Sequence, residues 1–533
     1  MIAGSRHLPT QHITVRVPWH DNGWKGTFCN KPCVNTSCTI LPRIASGRDD
    51  PHEAKMAGQS IEDLEQKLLP PCVDEHGTMM AGFSQVLHKN HPYAQSAPET
   101  HGHFDVTPYT IQAYSVSAIP FRWMLKENAD DRREELKLDY VPDREPKMGW
   151  KDAWIQEGTN QRVMLDSFFS ALKPEESLVF FYAKRTPLIE DPRRVIVGVG
   201  RVNSVNEPTE YRYKNDKKDT AIRGYLWERG IHHSIREKST EGFLLPYQQL
   251  LELAETDVSI DLEACTAFSP DEYFEKYSYG SELLPQDGAI ASLLSVEKAI
   301  NAMRGYFEAP WDEYLKWIDK ELNRLWKIRG AFPGLGAAFN AFGLPHGNLL
   351  AWHLSSNLNE AESPWSLLES VLSDPSSLPD YLQQGLGDTF NEKWKKLSVE
   401  RRNLLMLISR FTLSNEQAER WYQPTERNKA DISISDSHIF ENPYQIYEED
   451  RLQLDAIAFS VIDRGMFPPE NLRKDFPIPE PSLITEAVDK RRIRALMIQV
   501  LEEAGNNGHT LLPENWLIQQ VRDRAMKPEC PLD

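Results

Sequence analysis

SLVFFYAKR (177–185) and RRVIVGVGRV (193–202) decide the fold class. Both runs are rich in β-branched and aromatic residues, and Pro187 and Pro192 lie between them, so they read as two adjacent strands. VMLDSFFSALK (163–173), just before them, has helical spacing. Together these segments predict a small β-rich domain over residues 151–265.

Toward the N-terminus the pattern loosens. Residues 1–150 are rich in Pro, His, Asn and Gly, and nine of the fifteen histidines fall at or before His103. Strand-like runs such as HITVRV (12–17) are short. An irregular region this long needs something besides a core to hold it. Cys29, Cys33, Cys38 and Cys72 supply the four thiolates that a zinc or iron–sulfur site takes. His20, His76 and His91 are further candidate ligands. The spacing is not CxxC, and unliganded cysteines in a loop-rich fold are the alternative, with Cys33 the least secure member. Six cysteines in 533 residues do not make a disulfide scaffold.

Toward the C-terminus the reading turns helical. Trp311, Tyr314, Leu315, Ile318, Leu322, Leu325 and Trp326 recur at three- and four-residue steps and form one face of a helix. TEAVDKRRIRALMIQVLEEAG (485–505) is a second helix, and FPIPEPS (476–482) between elements reads as a linker. A helical domain is expected over 285–425 and a smaller one over 430–533. The fold class is therefore α+β, with an irregular β-containing N-terminal half and a helical C-terminal half.

Several constellations bear on chemistry. No Gly-Lys dipeptide occurs, so the chain has no P-loop and no nucleotide site of that kind. PGLG (333–336) follows the helix at 311, and Gly334 and Gly336 there would offer backbone N–H groups to a phosphate as in a helix-hairpin-helix. Lys316, Lys320, Arg324 and Lys327 lie away from that helix's apolar stripe and would neutralise phosphates. A glycine turn between packed helices is the alternative. Lys490, Arg491, Arg492 and Arg494 form a second basic run. PDREPK (142–147) holds Asp143 and a Glu145-x-Lys147, in the manner of a Mg²⁺ nuclease but interrupted by Pro146, and His232-His233-Ser234 names no acid–base partner.

The formal net charge is -19. Screening confines surface fields to about 10 Å at ordinary salt, so any nucleic-acid contact is expected to be focal. No stretch approaches the ~18 apolar residues of a membrane span, and no signal peptide opens the chain, so a cytoplasmic location without membrane contact is expected.

LLMLISRFTLSNEQAERWY (404–422), IFENPYQIYE (439–448) and RRIRALMIQVLEEAGNNGHTLLP (491–513) follow one another in an order that resembles the pre-motor region of RecD-like superfamily I DNA helicases. Asn442, Pro443, Tyr444, Gly508, His509, Thr510, Leu512 and Pro513 carry the likeness, which spans roughly residues 300–533. The chain ends at Asp533, about where that family's motor begins, so the resemblance implies DNA binding in repair or anti-phage defence beside a separate helicase or nuclease, without ATPase activity. FFSALKPEESLVFFYAKR with RRVIVGVGRV, through Glu210-Tyr211, looks like a PUA-type base reader. That likeness implies a pocket from Phe181, Tyr182 and Trp227 for a flipped base. Two other readings stand beside the DNA-binding accessory: a metal-dependent nucleic-acid-processing enzyme using the N-terminal Cys/His cluster, and a protein–protein scaffold.

Overall fold

A computed structural model describes residues 9–40, 42–65, 68–76, 79–145, 156–190, 192–214, 222–344, 346–358, 362–383, 386 and 388–532. The chain is α+β and divides into two units, residues 1–322 and 323–533. Eleven strands are present among the described residues. They are β1 (His12–Arg16), β2 (Gln85–Lys89), β3 (Phe104–Asp105), β4 (Thr107–Ile111), β5 (Ser115–Ala118), β6 (Leu178–Ala183), β7 (Val195–Val205), β8 (Arg212–Tyr213), β9 (Arg229–His233), β10 (Gly242–Leu244) and β11 (Ser281–Leu284).

The expected strand pair is the centre of the first unit. β6 and β7 are antiparallel neighbours inside a seven-stranded sheet of order β11-β1-β6-β7-β9-β5, with β10 also on β7. Only β1 and β6 run parallel. Every residue of β6 is buried, which explains its unbroken apolar run: a strand covered on both faces has no polar side to show. β7 is eleven residues long and shifts register between Val202 and Ser204, where its pairing with β9 bends. β10 approaches β7 closely enough that a Cβ on Gly242 would stand 2.6 Å from the Gly200 Cα, and Gly242 has φ +131°, so only glycine fits.

This sheet joins segments that the sequence separates at residue 150. β1 and β5 come from the irregular N-terminal stretch, yet β1 lies between β6 and β11, and β5 pairs with β9. The rest of that stretch has two satellite cores. One, around Leu87, Phe104, Tyr109, Ile111, Tyr211 and Leu226, sits by the β2–β4 and β3–β8 ribbons. The other comprises Phe28, Met56, Ile61 and Val73 and is very small for the loops it must hold.

The second unit is helical around one continuous core from Leu335 to Cys530, so the stretches expected as 285–425 and 430–533 domains share their interior from Leu335 onward. The helix at 311 runs Trp311–Arg329. The helix expected from 485 begins at Lys490, because the Asp489 carboxylate accepts the Arg491 N–H and caps it there. FPIPEPS is not a free linker. Ile478 and Ser482 are buried, and the Arg410 guanidinium holds the Phe476 and Pro477 carbonyls at 2.9 Å. Among the described residues no helix is long and apolar enough to cross a membrane.

Candidate functional site

The glycine turn does not present its N–H groups to a phosphate. Gly334 and Gly336 are buried, and the Gly334 N–H donates to the Ser409 carbonyl at 2.9 Å. A Cβ on Gly336 would lie 2.8 Å from the Asn348 Cα, so this glycine allows the helices Leu335–Phe342 and Gly347–Ser356 to touch. The turn is a close-packing device, the alternative weighed for it. The helix before it is not a basic stripe. On its exposed side in the first unit, Asp312, Glu313 and Asp319 stand among Lys316 and Lys320. Lys320 is engaged by Glu241 at 3.0 Å, in a network where Arg201 pairs with Glu241 and with buried Glu321. In the second unit Arg324 is partly buried and Lys327 exposed.

The second basic run is largely structural. Arg492 is fully buried and forks onto Asp463 with two bonds of 2.8 Å, so it cannot reach a phosphate. Arg491 donates to the Glu441, Pro481 and Leu483 carbonyls and to Asp489. Arg494 pairs with Glu448 at 3.1 Å, and Lys490 is exposed. Phe181 and Tyr182 are core residues with no exposed surface, so they line no pocket for a flipped base; Trp227 is half-buried. Glu145 accepts from Tyr140 and Asn160 instead of facing a metal, and Lys147 lies outside the described residues.

What the sheet does assemble is a set of cations. Arg16 ends β1 opposite Tyr182 of β6, and Tyr182 stands opposite Ile196 of β7. Side chains alternate along a strand, so Lys184, just past β6, and Arg194, just before β7, share the face of Arg16 and Tyr182. Burial, then Arg16 and Arg194, hold the Lys184 ammonium down at about 8. Burial also lowers Arg194, with Arg16 acting in the same direction. Among the described residues none of these three makes an ion pair. The buried Arg16 Nε has no hydrogen-bond acceptor. Glu282, on the same face, is buried and interacts with Lys276, Arg122 and Arg132.

Exposed rings flank the cations. Phe274 is 41% exposed and carries the Arg194 guanidinium 4.6 Å from its centroid. Arg194 Nε also donates to the Tyr277 carbonyl at 3.2 Å. Tyr279, 40% exposed, stacks on Phe121, 44% exposed, at 6.0 Å and 8°. The Tyr279 carbonyl accepts the Tyr182 hydroxyl, and Arg122 lies 5.8 Å over the Tyr279 ring. Apart from Tyr182, none of these residues stands out in the sequence. A signal was present: Lys184-Arg185 closes one strand and Arg193-Arg194 opens its hairpin partner, so the basic ends must meet.

The four N-terminal cysteines divide three to one. Cys29, Cys38 and Cys72 line one cavity of about 50 Å³ together with His20, Trp24, Glu53 and Met79. Cys33 is exposed, and its thiol points to the Asp50 carbonyl at 3.4 Å, so the expected fourth thiolate is not at the cavity. Asn35 Nδ2 donates to Cys29 Sγ and Arg48 Nη1 to Cys38 Sγ, each at 3.4 Å. His20, Asp21 and Cys29 bring one donor atom each within 4.8 Å of one another. Both His20 nitrogens are occupied, however, by the Thr27 carbonyl and the Asn22 N–H, and the Asp21 carboxylate takes the Asn30 and Lys31 N–H groups. His91 lies elsewhere, stacked on Phe104 at 4.3 Å, and the His76 side chain is outside the described residues.

His233 is a core residue. It is fully buried, 5.1 Å edge-on to Phe181, and its Nδ1 accepts the Ile235 N–H. Burial holds its pKa down at about 3. The unfolded chain binds a proton at this side chain near pH 6.5, while the native state refuses it until about pH 3. The His233 contribution is therefore fully present above pH 6.5 and is lost progressively below it. Lowering the pH from 7.5 to 5 should cost about 2 kcal/mol at this residue alone. Denaturant unfolding across that range, repeated with His233→Asn, checks this; an identical pH slope in the variant would contradict it.

No protein-family model matches the sequence, and comparison with curated proteins and with solved structures gave no match either.

Proposed function

We propose that this chain binds single-stranded DNA through the cation-and-aromatic face of its first unit, as an accessory to a helicase or nuclease on another chain. One observation carries the reading: Arg16, Lys184 and Arg194 gather without carboxylate partners beside exposed Phe274, Tyr279 and Phe121. Cations that repel one another and leave a buried N–H without an acceptor are at their best with an anion between them. A phosphate oxygen supplies both the charge and the acceptor. The rings offer stacking surfaces, which favour a strand whose bases are not already paired. The acidic remainder of the chain keeps such contact focal and salt-sensitive. The accessory role rests on the likeness of residues 300–533 to the region that precedes the motor in RecD-like helicases.

Fluorescence anisotropy with a short labelled oligothymidine and a duplex of equal length tests the reading. The single strand is expected to bind more tightly. Phe274→Ala and Tyr279→Ala should each weaken it by about tenfold, from ~1–3 kcal/mol per stacked base. Equal affinity for the duplex, or indifference to both ring deletions, would overturn the single-strand assignment. A complete lack of salt-dependent affinity would favour the protein scaffold.

A further inference from the structure

We propose that Cys29, Cys38 and Cys72 bind one zinc-class divalent cation in the cavity of the N-terminal loops, with Glu53 supplying the fourth ligand. Three thiols from separate positions in a loop-rich segment converge on a space of about 50 Å³, and Glu53 shares its wall. Such a volume holds an ion but no sizeable organic ligand. The ligand set is soft, and three sulfurs with one carboxylate suit tetrahedral zinc.

The surroundings fit that use. Asn35 and Arg48 donate N–H groups to two of the sulfurs, the kind of outer contact that orients thiolates and offsets their charge. Arg48 also donates to the Asn35 and Pro32 carbonyls and to Asp50, so it is anchored independently of the thiol. Cys72 lines the same cavity as Cys29, Cys38 and Glu53. A cysteine must give up its thiol proton to bind a cation. Capture of the cation forms three metal–sulfur bonds and releases three protons to solvent. The three sulfurs are not grouped as tightly as His20, Asp21 and Cys29, so binding draws the loops inward. The adjacent core of Phe28, Met56, Ile61 and Val73 is too small to fix these loops by burial alone, and a metal would contribute directly to their folding.

The test uses the full chain purified without chelator. Elemental analysis is expected to give one zinc per chain, and cobalt(II) exchanged for it should show intense sulfur-to-cobalt charge-transfer absorption. An aromatic disulfide reagent should titrate Cys33 alone in the native protein, and Cys33 with the three cavity thiols once a strong chelator is added. Cys29→Ser, Cys38→Ser and Cys72→Ser should each lose the metal, Cys33→Ser should keep it, and Glu53→Ala should weaken it at least tenfold. Metal-free wild-type protein that also fails to take up cobalt, or three cavity thiols equally reactive with and without chelator, would overturn the site. Neither of those readings depends on a variant that folds. Undiminished affinity in Glu53→Ala would remove Glu53 from it.

Discussion

Asp463→Ala should destabilise the helical unit by about 3–5 kcal/mol, the cost of stranding the partner of a buried ion pair. The Arg492 side chain is 0% exposed and Asp463 only 5%. Arg492 donates both of its Asp463 bonds in the interior and reaches on to the Ala487 and Pro528 carbonyls. Tyr444, also buried, donates its hydroxyl to the same carboxylate at 2.6 Å. Removing that carboxylate leaves a full charge with no counter-ion and a hydroxyl with no acceptor. A domain is stable by only about 5–15 kcal/mol, so the loss is a large share of the total. The urea midpoint of the helical unit reads it. Lys474→Ala is the control, since Lys474 and Glu470 are exposed and such pairs contribute ~1 kcal/mol at most. A midpoint for Asp463→Ala as close to wild type as the control's would contradict the interior role assigned to Arg492.

Lys184→Glu should move stability and binding in opposite directions. In the folded protein Lys184 is held beside Arg16 and Arg194, and all three are cationic. A glutamate there exchanges two repulsions for two attractions and should raise the melting temperature slightly. The same exchange removes a phosphate contact and sets a negative charge against the strand. A hydrogen bond to a charged group is worth ~1.5–3 kcal/mol, so oligothymidine affinity should fall by at least tenfold. A purely structural cluster would show the gain in stability without the loss of binding. Lower stability together with unchanged binding would contradict the assignment.

Much of the fold was legible because its signals are local. The strand pair at 178–183 and 195–205 and the helix over 311–329 follow from residue type and period. The neighbours of β1 were not legible, since His12–Arg16 pairs with residues 178–183 and 281–284, and nothing local encodes such distant partners. Arg16 is not legible as a site residue for that reason, whereas antiparallel pairing of β6 with β7 by itself brings their basic ends together. Arg492 carried a readable warning. It stands four residues before Leu496 and eight before Val500, on the buried side of its helix, so it belongs to the apolar stripe. Gly334 and Gly336 carried none, because a glycine that admits a neighbouring helix looks the same as one that admits a phosphate. The irregular loops around Cys29 and Cys38 follow no spacing rule, so only the fold shows that Cys33 turns away from the cavity.

The most direct measurement is the salt dependence of oligothymidine binding for the wild type and for the triple variant Arg16→Glu, Lys184→Glu, Arg194→Glu. Three phosphate contacts on a single strand predict a slope of about −2 in log affinity against log salt for the wild type. The triple variant should bind far more weakly, with a slope near zero. A wild type that binds with the expected slope, and a triple variant that binds just as tightly with the same slope, would place the DNA elsewhere on the molecule and contradict the account.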